Sequence, residues 1–218
     1  MCSSDLTTFI RILNRIIAAD AGTIELFGEP LEPQHISIIG YLPEERGLYK
    51  KMKVGEQLLY LAQLRGMSHA QAMERIRHWF DRFEIRPWWS KKVEDLSKGM
   101  AQKVQFISTV LHGPKLLILD EPSLGLSPRL VEEMFVMIDQ LHQQGLAILL
   151  VEQNVGQSLD IADRAYVLEN GTIRFEGELL PNWAQLLDLA SRLCPVPETT
   201  NQWFARFTNA NGRDDAGT

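Results

Sequence analysis

The chain has 218 residues, 45% of them hydrophobic, with a formal net charge of −6. That length and apolar fraction suffice for one globular core with room for a subdomain, and exclude a chain too polar to fold. The acidic balance argues against nucleic acid or an anionic membrane surface as a partner, and no apolar run reaches the length of a membrane span.

In chain order, Thr7 to Ala19 reads as a helix, because Ile10, Leu13, Ile16 and Ile17 recur at i, i+3 and i+4 spacing. Asp20-Ala21-Gly22 ends it, and Thr23–Phe27 alternates as a strand closed by Gly28. Ile36–Leu42 is a second strand, stopped by Pro43. Val54–Arg65 and about Ala70–Phe83 are helical pieces separated at Gly66, and Pro87-Trp88-Trp89 interrupts before Leu96. Gly99–His112 is a helix with Val104, Ile107, Val110 and Leu111 on one side. Leu116–Leu119 and Ala147–Val151 are continuous apolar runs, the pattern of strands covered on both faces. Between them Pro128–Gln144 is a helix with proline in its first turn. A short helix, Gly156–Ala162, precedes strands Ala165–Leu168 and Thr172–Phe175, joined at an Asn-Gly turn.

Strand–helix–strand alternation of this kind builds an α/β fold on a parallel sheet, here with a helical insertion around residues 50–95. Trp79, Trp88 and Trp89 in or near that insertion read as packing rather than as an interface. Trp183–Leu193 has an amphipathic helical pattern, Asn209–Thr218 reads as a frayed polar tail, and Cys2 and Cys194 lack metal-ligand spacing and read as reduced thiols.

Chemistry concentrates in two places. The apolar run Leu116–Leu119 ends in Asp120-Glu121-Pro122, which is how a buried strand delivers a magnesium-binding carboxylate and a water-orienting carboxylate to a nucleotide. Some twenty residues upstream, Ser97-Lys98-Gly99-Met100 opens a helix, whose free N–H groups and positive end suit a phosphate. Each has a bland alternative. Asp-Glu-Pro can be a strand end turning to solvent, and Ser-Lys-Gly can be an N-cap and turn.

Taken together, Leu96–Met100 and Leu116–Pro122 resemble the ATP-binding subunits of ABC transporters, over roughly Thr7 to Gly177. The family signature Leu-Ser-Gly-Gly-Gln stands here as Leu96-Ser97-Lys98-Gly99-Met100, Walker B is Leu116–Asp120, and Glu121 matches the catalytic glutamate. Ser123–Pro128 matches the D-loop, Glu44 the Q-loop glutamine and Gln153 the switch histidine. The resemblance implies a P-loop NTPase-like parallel sheet flanked by helices, with a helical signature subdomain at about residues 50–112. It implies ATP and Mg2+ as cofactors, with Asp120 and Thr7 on the metal, and Thr8 also at the nucleotide. Glu44 and Gln153 would sense the γ-phosphate, Glu121 would act on water, and Ser97, Lys98 and Gly99 would serve a partner's nucleotide. The implied partners are transmembrane permease subunits and a second ATP-binding subunit packed head to tail, at the cytoplasmic face of the cell membrane.

Two departures qualify this. Family members carry a phosphate cradle, G-x-x-x-x-G-K-[ST], before the first helix. Here Thr7 and Thr8 match its final pair, but Leu6 takes the lysine's place and Asp5 that of the last glycine. Losing three or more charge-assisted hydrogen bonds would remove roughly 5 kcal/mol of binding, a weakening of about 10³-fold. The chain is therefore expected to be inactive as written, with its amino-terminal strands and P-loop truncated and unpaired backbone groups left beside the Walker B strand. Met1–Leu6 is also the translation of a common sequencing-adapter end, so residues 1–6 are expected to be a non-native start, 7–177 the ATP-binding domain, and 178–218 a helix and tail. Second, residues before Leu119–Pro122 are similar to sodium or drug efflux subunits, and those after it to branched-chain amino-acid importer subunits, the pattern of a chimera. The rival readings are a non-hydrolysing module offering only its signature face, and a truncated product without activity.

Overall fold

The computed structural model describes residues 3–45, 47–152, 154–169, 172–178 and 202–207. Helix α1 spans Ser3–Leu13. It starts earlier and stops sooner than its apolar pattern predicts. Arg15 adopts φ +54°, and the amides of Arg15 and Ile16 turn back to the carbonyls of Ile12 and Arg11, closing the helix as a Schellman motif. That motif usually advertises itself with glycine; here arginine fills the left-handed position. Ile16 and Ile17, expected inward, are consequently exposed.

Two short strands, β1 (Glu25–Leu26) and β2 (Glu29–Pro30), form a small antiparallel ribbon. Pro33–Ile38 is a 3-10 helix rather than the first half of a strand, because the Glu32 amide donates to Nδ1 of His35 and fixes a tight turn. The strand proper, β3, is Ile39–Leu42. Helices α2 (Val54–Leu64) and α3 (His69–Arg82) are separated at Gly66, φ +83°, and Ser68 caps α3 through a reciprocal bond with Gln71. Helix α4 (Lys98–Val110), strand β4 (Leu116–Asp120), helix α5 (Pro128–Gln143), strand β5 (Ala147–Glu152) and helix α6 (Val155–Ile161) follow close to their predicted limits. Strands β6 (Arg164–Glu169), β7 (Thr172–Glu178) and β8 (Gln202–Phe207) complete the described chain. The expected helix Trp183–Leu193, the tail Asn209–Thr218 and both cysteines lie outside the described residues.

The main sheet has the order β3-β4-β5-β8-β6-β7. β3, β4 and β5 are parallel, while β8 runs antiparallel to both β5 and β6. Unpaired groups were expected beside β4; instead β4 pairs on both sides, and β8 covers the far edge of β5.

Side chains alternate between the two faces. On one face Leu42, Leu117, Leu119, Ile148 and Leu150 pack with α2 to α5, including Trp79, Phe80 and Phe106. On the other, Ile39, Ile118, Leu149 and Val151 pack with Leu6, Ile10 and Leu13 of α1. Trp79 is a core residue, stacked on Phe83 and edge-on to Phe106, and Trp89 lies against Gly55, where a Cβ would come within 2.4 Å of its ring.

Candidate functional site

The carboxyl edge of the parallel strands is where an open α/β sheet holds its ligands, and the predicted acids gather there. Asp120 ends β4 on the α1 face, buried at 3% exposure. The Tyr41 hydroxyl, from β3, donates to its Oδ2 at 3.5 Å. Burial first, and then the negative charges of Glu44 and Glu121, push the Asp120 carboxyl up to about 6, while Tyr41 and Arg11 oppose the rise. Burial and the neighbouring Asp120 raise Tyr41 to about 12. Asp120, Glu121 and Glu44 thus form one electrostatic unit, with Arg11 of α1 as a facing cation.

Glu121 is also buried and stands at φ +49°, a conformation few residues other than glycine adopt. The turn around it is held closely. Its amide donates to the Val151 carbonyl at 2.9 Å, its carbonyl accepts from the Leu124 amide, and Nε2 of Gln102 on α4 donates to the Pro122 carbonyl at 3.0 Å. The Ser123 amide donates to Oε1 of Glu152 at 2.7 Å.

At the start of α4 the Ser97 hydroxyl accepts from the Met100 amide, so it caps the helix whether or not it meets a phosphate. Ser97 and Lys98 are exposed. Gly99 is buried, and a Cβ there would stand 2.2 Å from Cδ1 of Leu130, so its small size lets α4 and α5 approach. Glu44 is exposed just past β3, Thr7 is half-buried on α1, and Thr8 is exposed. Gln153 lies outside the described residues.

The donor set suits a divalent cation only in part. Clustered carboxylates that repel one another favour a cation, yet among the described residues no group of three or more His, Cys, Asp or Glu is placed to hold a metal by itself. Hydroxyl, phosphate or water oxygens would have to complete the shell. The triphosphate side does not fit. Residues 3–8 are helical, and Leu6, in the lysine's place, is buried against Ile39, Ile118 and Val151. Tyr41, Arg11, Gln102 and Glu152 escaped the sequence reading as site residues. The period-2 pattern of β3 and β5 and the i, i+4 relation of Thr7 to Arg11 are the signals that could have found them.

An α/β sheet carrying this pair of acids at its carboxyl edge, with a helical signature subdomain beside it, defines an ATP-binding cassette of the P-loop NTPase class. The chain belongs to the ABC transporter family, whose profile matches residues 6–124. It is 42% identical over 173 residues to the ABC transporter ATP-binding protein YhaQ of Bacillus subtilis, covering 79% of this chain and 58% of that protein. It is 37% identical over 150 residues to the high-affinity branched-chain amino acid transport ATP-binding protein BraG of Pseudomonas aeruginosa, covering 68% and 64%. A solved ATP-binding subunit of an ABC transporter superposes with a TM-score of 0.75 at 26% identity, covering 86% of this chain and 82% of that one. The chain therefore spans less than two thirds of the length of either of these two sequence relatives.

Proposed function

We propose that this chain is an ATP-binding subunit that couples ATP hydrolysis to transport across a membrane. The observation that carries the reading is the pair Asp120-Glu121, buried at the carboxyl end of a parallel strand, with Asp120 pushed up to about 6 by burial and its acidic neighbours. A cation at Asp120 would relieve that repulsion. Asp120 and the Thr7 hydroxyl would hold Mg2+, which when bound neutralises phosphate charge. Glu121 would orient the attacking water, Glu44 and Gln153 would sense the γ-phosphate, and Thr8 would lie on the nucleotide side. Ser97, Lys98 and Gly99 serve nucleotide held by a second ATP-binding subunit. The partners in this reading are permease subunits, with the chain at the cytoplasmic face of the membrane. Similarity to BraG supports a branched-chain amino acid as cargo; the resemblance of residues 41–49 to efflux subunits supports an exported ion or drug.

A second reading is favoured by the buried Leu6: a module that offers its signature face to an intact homologue and does not hydrolyse ATP itself. Vanadate-sensitive ATPase activity of the purified chain, with Glu121→Gln as control, separates the two. Turnover lost in Glu121→Gln supports the first. Absence of turnover by the chain alone, with signature-dependent stimulation of an intact homologue, supports the second.

A further inference from the structure

We propose that Glu152 is a positioning residue, whose buried carboxylate fastens the turn carrying Glu121 to Asn154 at the start of α6. The inference rests on the reading that Glu121 performs the hydrolytic chemistry. Glu152 is the last residue of β5 and is 2% exposed. By the alternation of β5 its side chain points to the face opposite the one Asp120 uses, so it is not a member of the metal-facing set. Its two oxygens take two backbone amides from two different loops: Oε1 accepts from Ser123 at 2.7 Å, and Oε2 from Asn154 at 3.4 Å.

The geometry gives this carboxylate a task that a packed apolar residue could not perform. Glu121 is held at φ +49°, and such a conformation persists only where its surroundings over-determine it. The hydrogen bonds that hold it include its own amide to Val151, the Leu124 amide to its carbonyl, Gln102 to the Pro122 carbonyl, and the Ser123 amide to Glu152. The carboxylate that takes the Ser123 amide also reaches the Asn154 amide at the start of α6. A buried carboxylate is disfavoured by desolvation, and the charge of Glu121 adds to that, raising Glu152 above its usual range; the Ser123 side chain and the amides of Ser123 and Asn154 oppose the rise. Nothing in the packing requires an acid at this place, and an acid repelled by Glu121 is retained where it can bind both loops at once.

The test uses the full-length chain, wild type and Glu152→Gln, followed by amide NMR. A glutamine has one accepting oxygen, so exchange at Ser123 or Asn154 should accelerate roughly tenfold or more, while amides of β4 keep their protection. The pH dependence of the Ser123 amide shift should be larger in the wild type than in Glu152→Gln, where the Asp120 carboxyl three residues away still contributes. If the chain hydrolyses ATP, kcat should fall in the variant with KM unchanged, and Glu152→Asp should recover part of the loss. An unchanged exchange rate at both amides, or a Ser123 pH dependence that is the same in both proteins, overturns the proposal. Should Glu152→Gln fail to fold, Glu152→Asp takes its place: its shorter arm should accelerate exchange at one of the two amides, and unchanged exchange at both overturns the proposal. Absence of ATP turnover in the wild type would count against the reading of Glu121, and the exchange and titration data would still decide whether Glu152 fastens the two loops.

Discussion

Leu6 and Asp120 lie close in the fold and show how single residues set the chemistry. Leu6 stands where the family places the cradle lysine, but here it is 3% exposed and packs with Ile10, Leu13, Ile39 and Ile118. Leu6→Lys would therefore bury an ammonium among hydrocarbon side chains instead of offering it to a phosphate. The expected loss is about 2–4 kcal/mol of stability, read as a lower urea midpoint at constant m, with no gain in ATP affinity. Asp120 makes the complementary case. A carboxyl raised from 3.8 to about 6 on folding is protonated in the folded chain and ionised in the unfolded one between those values. The folded state then binds more protons, and stability falls as pH rises through that interval. At about 1.4 kcal/mol per pH unit the ceiling is roughly 3 kcal/mol. Asp120→Asn should accordingly raise the thermal midpoint near neutral pH and change little below pH ~4. Millimolar Mg2+ should stabilise the wild type and not Asp120→Asn; a destabilised Asp120→Asn at neutral pH without metal would show that the acids do not repel as described.

At the scale of elements, the parallel strands and the four long helices α2 to α5 were legible because their signals are local. Period-2 or unbroken apolar runs mark β4 and β5, 3.6-period stripes mark α2 to α5, and Gly66 and Pro128 punctuate them. The position of the acids was legible for the same reason, since the apolar run of β4 ends directly at Asp120-Glu121. What stayed hidden depends on partners distant in sequence or on atypical turn residues. Arg15 in a glycine's position ended α1 unannounced, and the His35–Glu32 bond replaced half a strand by a 3-10 turn. Glu152 could not be singled out because its role exists only where Ser123 and Asn154 meet it. The position of β8, antiparallel between two strands far upstream, has no local signature at all. That placement makes its own prediction. Ala205 pairs with Leu150 on one side and Ala165 on the other, so it sits in the interior of the sheet. Proline there removes a ladder donor and should cost about 3 kcal/mol or more, seen as a lower and broader thermal transition. An unshifted transition in Ala205→Pro would mean that β8 does not hold β5 and β6 together in solution.

At the scale of the whole molecule, the described residues cover the two faces of the sheet unequally, and that inequality predicts the order in which it opens. The face bearing Leu117, Leu119 and Leu150 carries α2 to α5, knit together by aromatic contacts among Trp79, Phe83 and Phe106 and by the half-buried ion pair of Lys103 with Glu133 at 2.6 Å. The opposite face carries α1, which buries Leu6, Ile10 and Leu13, while Ile16 and Ile17 just beyond its end are exposed. Local stability follows the apolar surface an element buries, so α1 belongs to a separate, weaker opening unit than α4 and α5. Native-state hydrogen exchange should show Ile10 and Arg11 amides opening at least tenfold faster than those of Phe106 and Ile107, with low denaturant accelerating the first pair before the second. Arg11 is the cation facing Asp120, and Thr7 lies one turn before it, so this weaker unit also carries the groups proposed to face the nucleotide. Ligand binding there would have to lock α1 down, so added Mg-nucleotide should slow α1 exchange selectively. Equal protection of the two helices, or slowing spread evenly over the chain, would show that the sheet opens as one unit and that α1 is not the element a nucleotide orders.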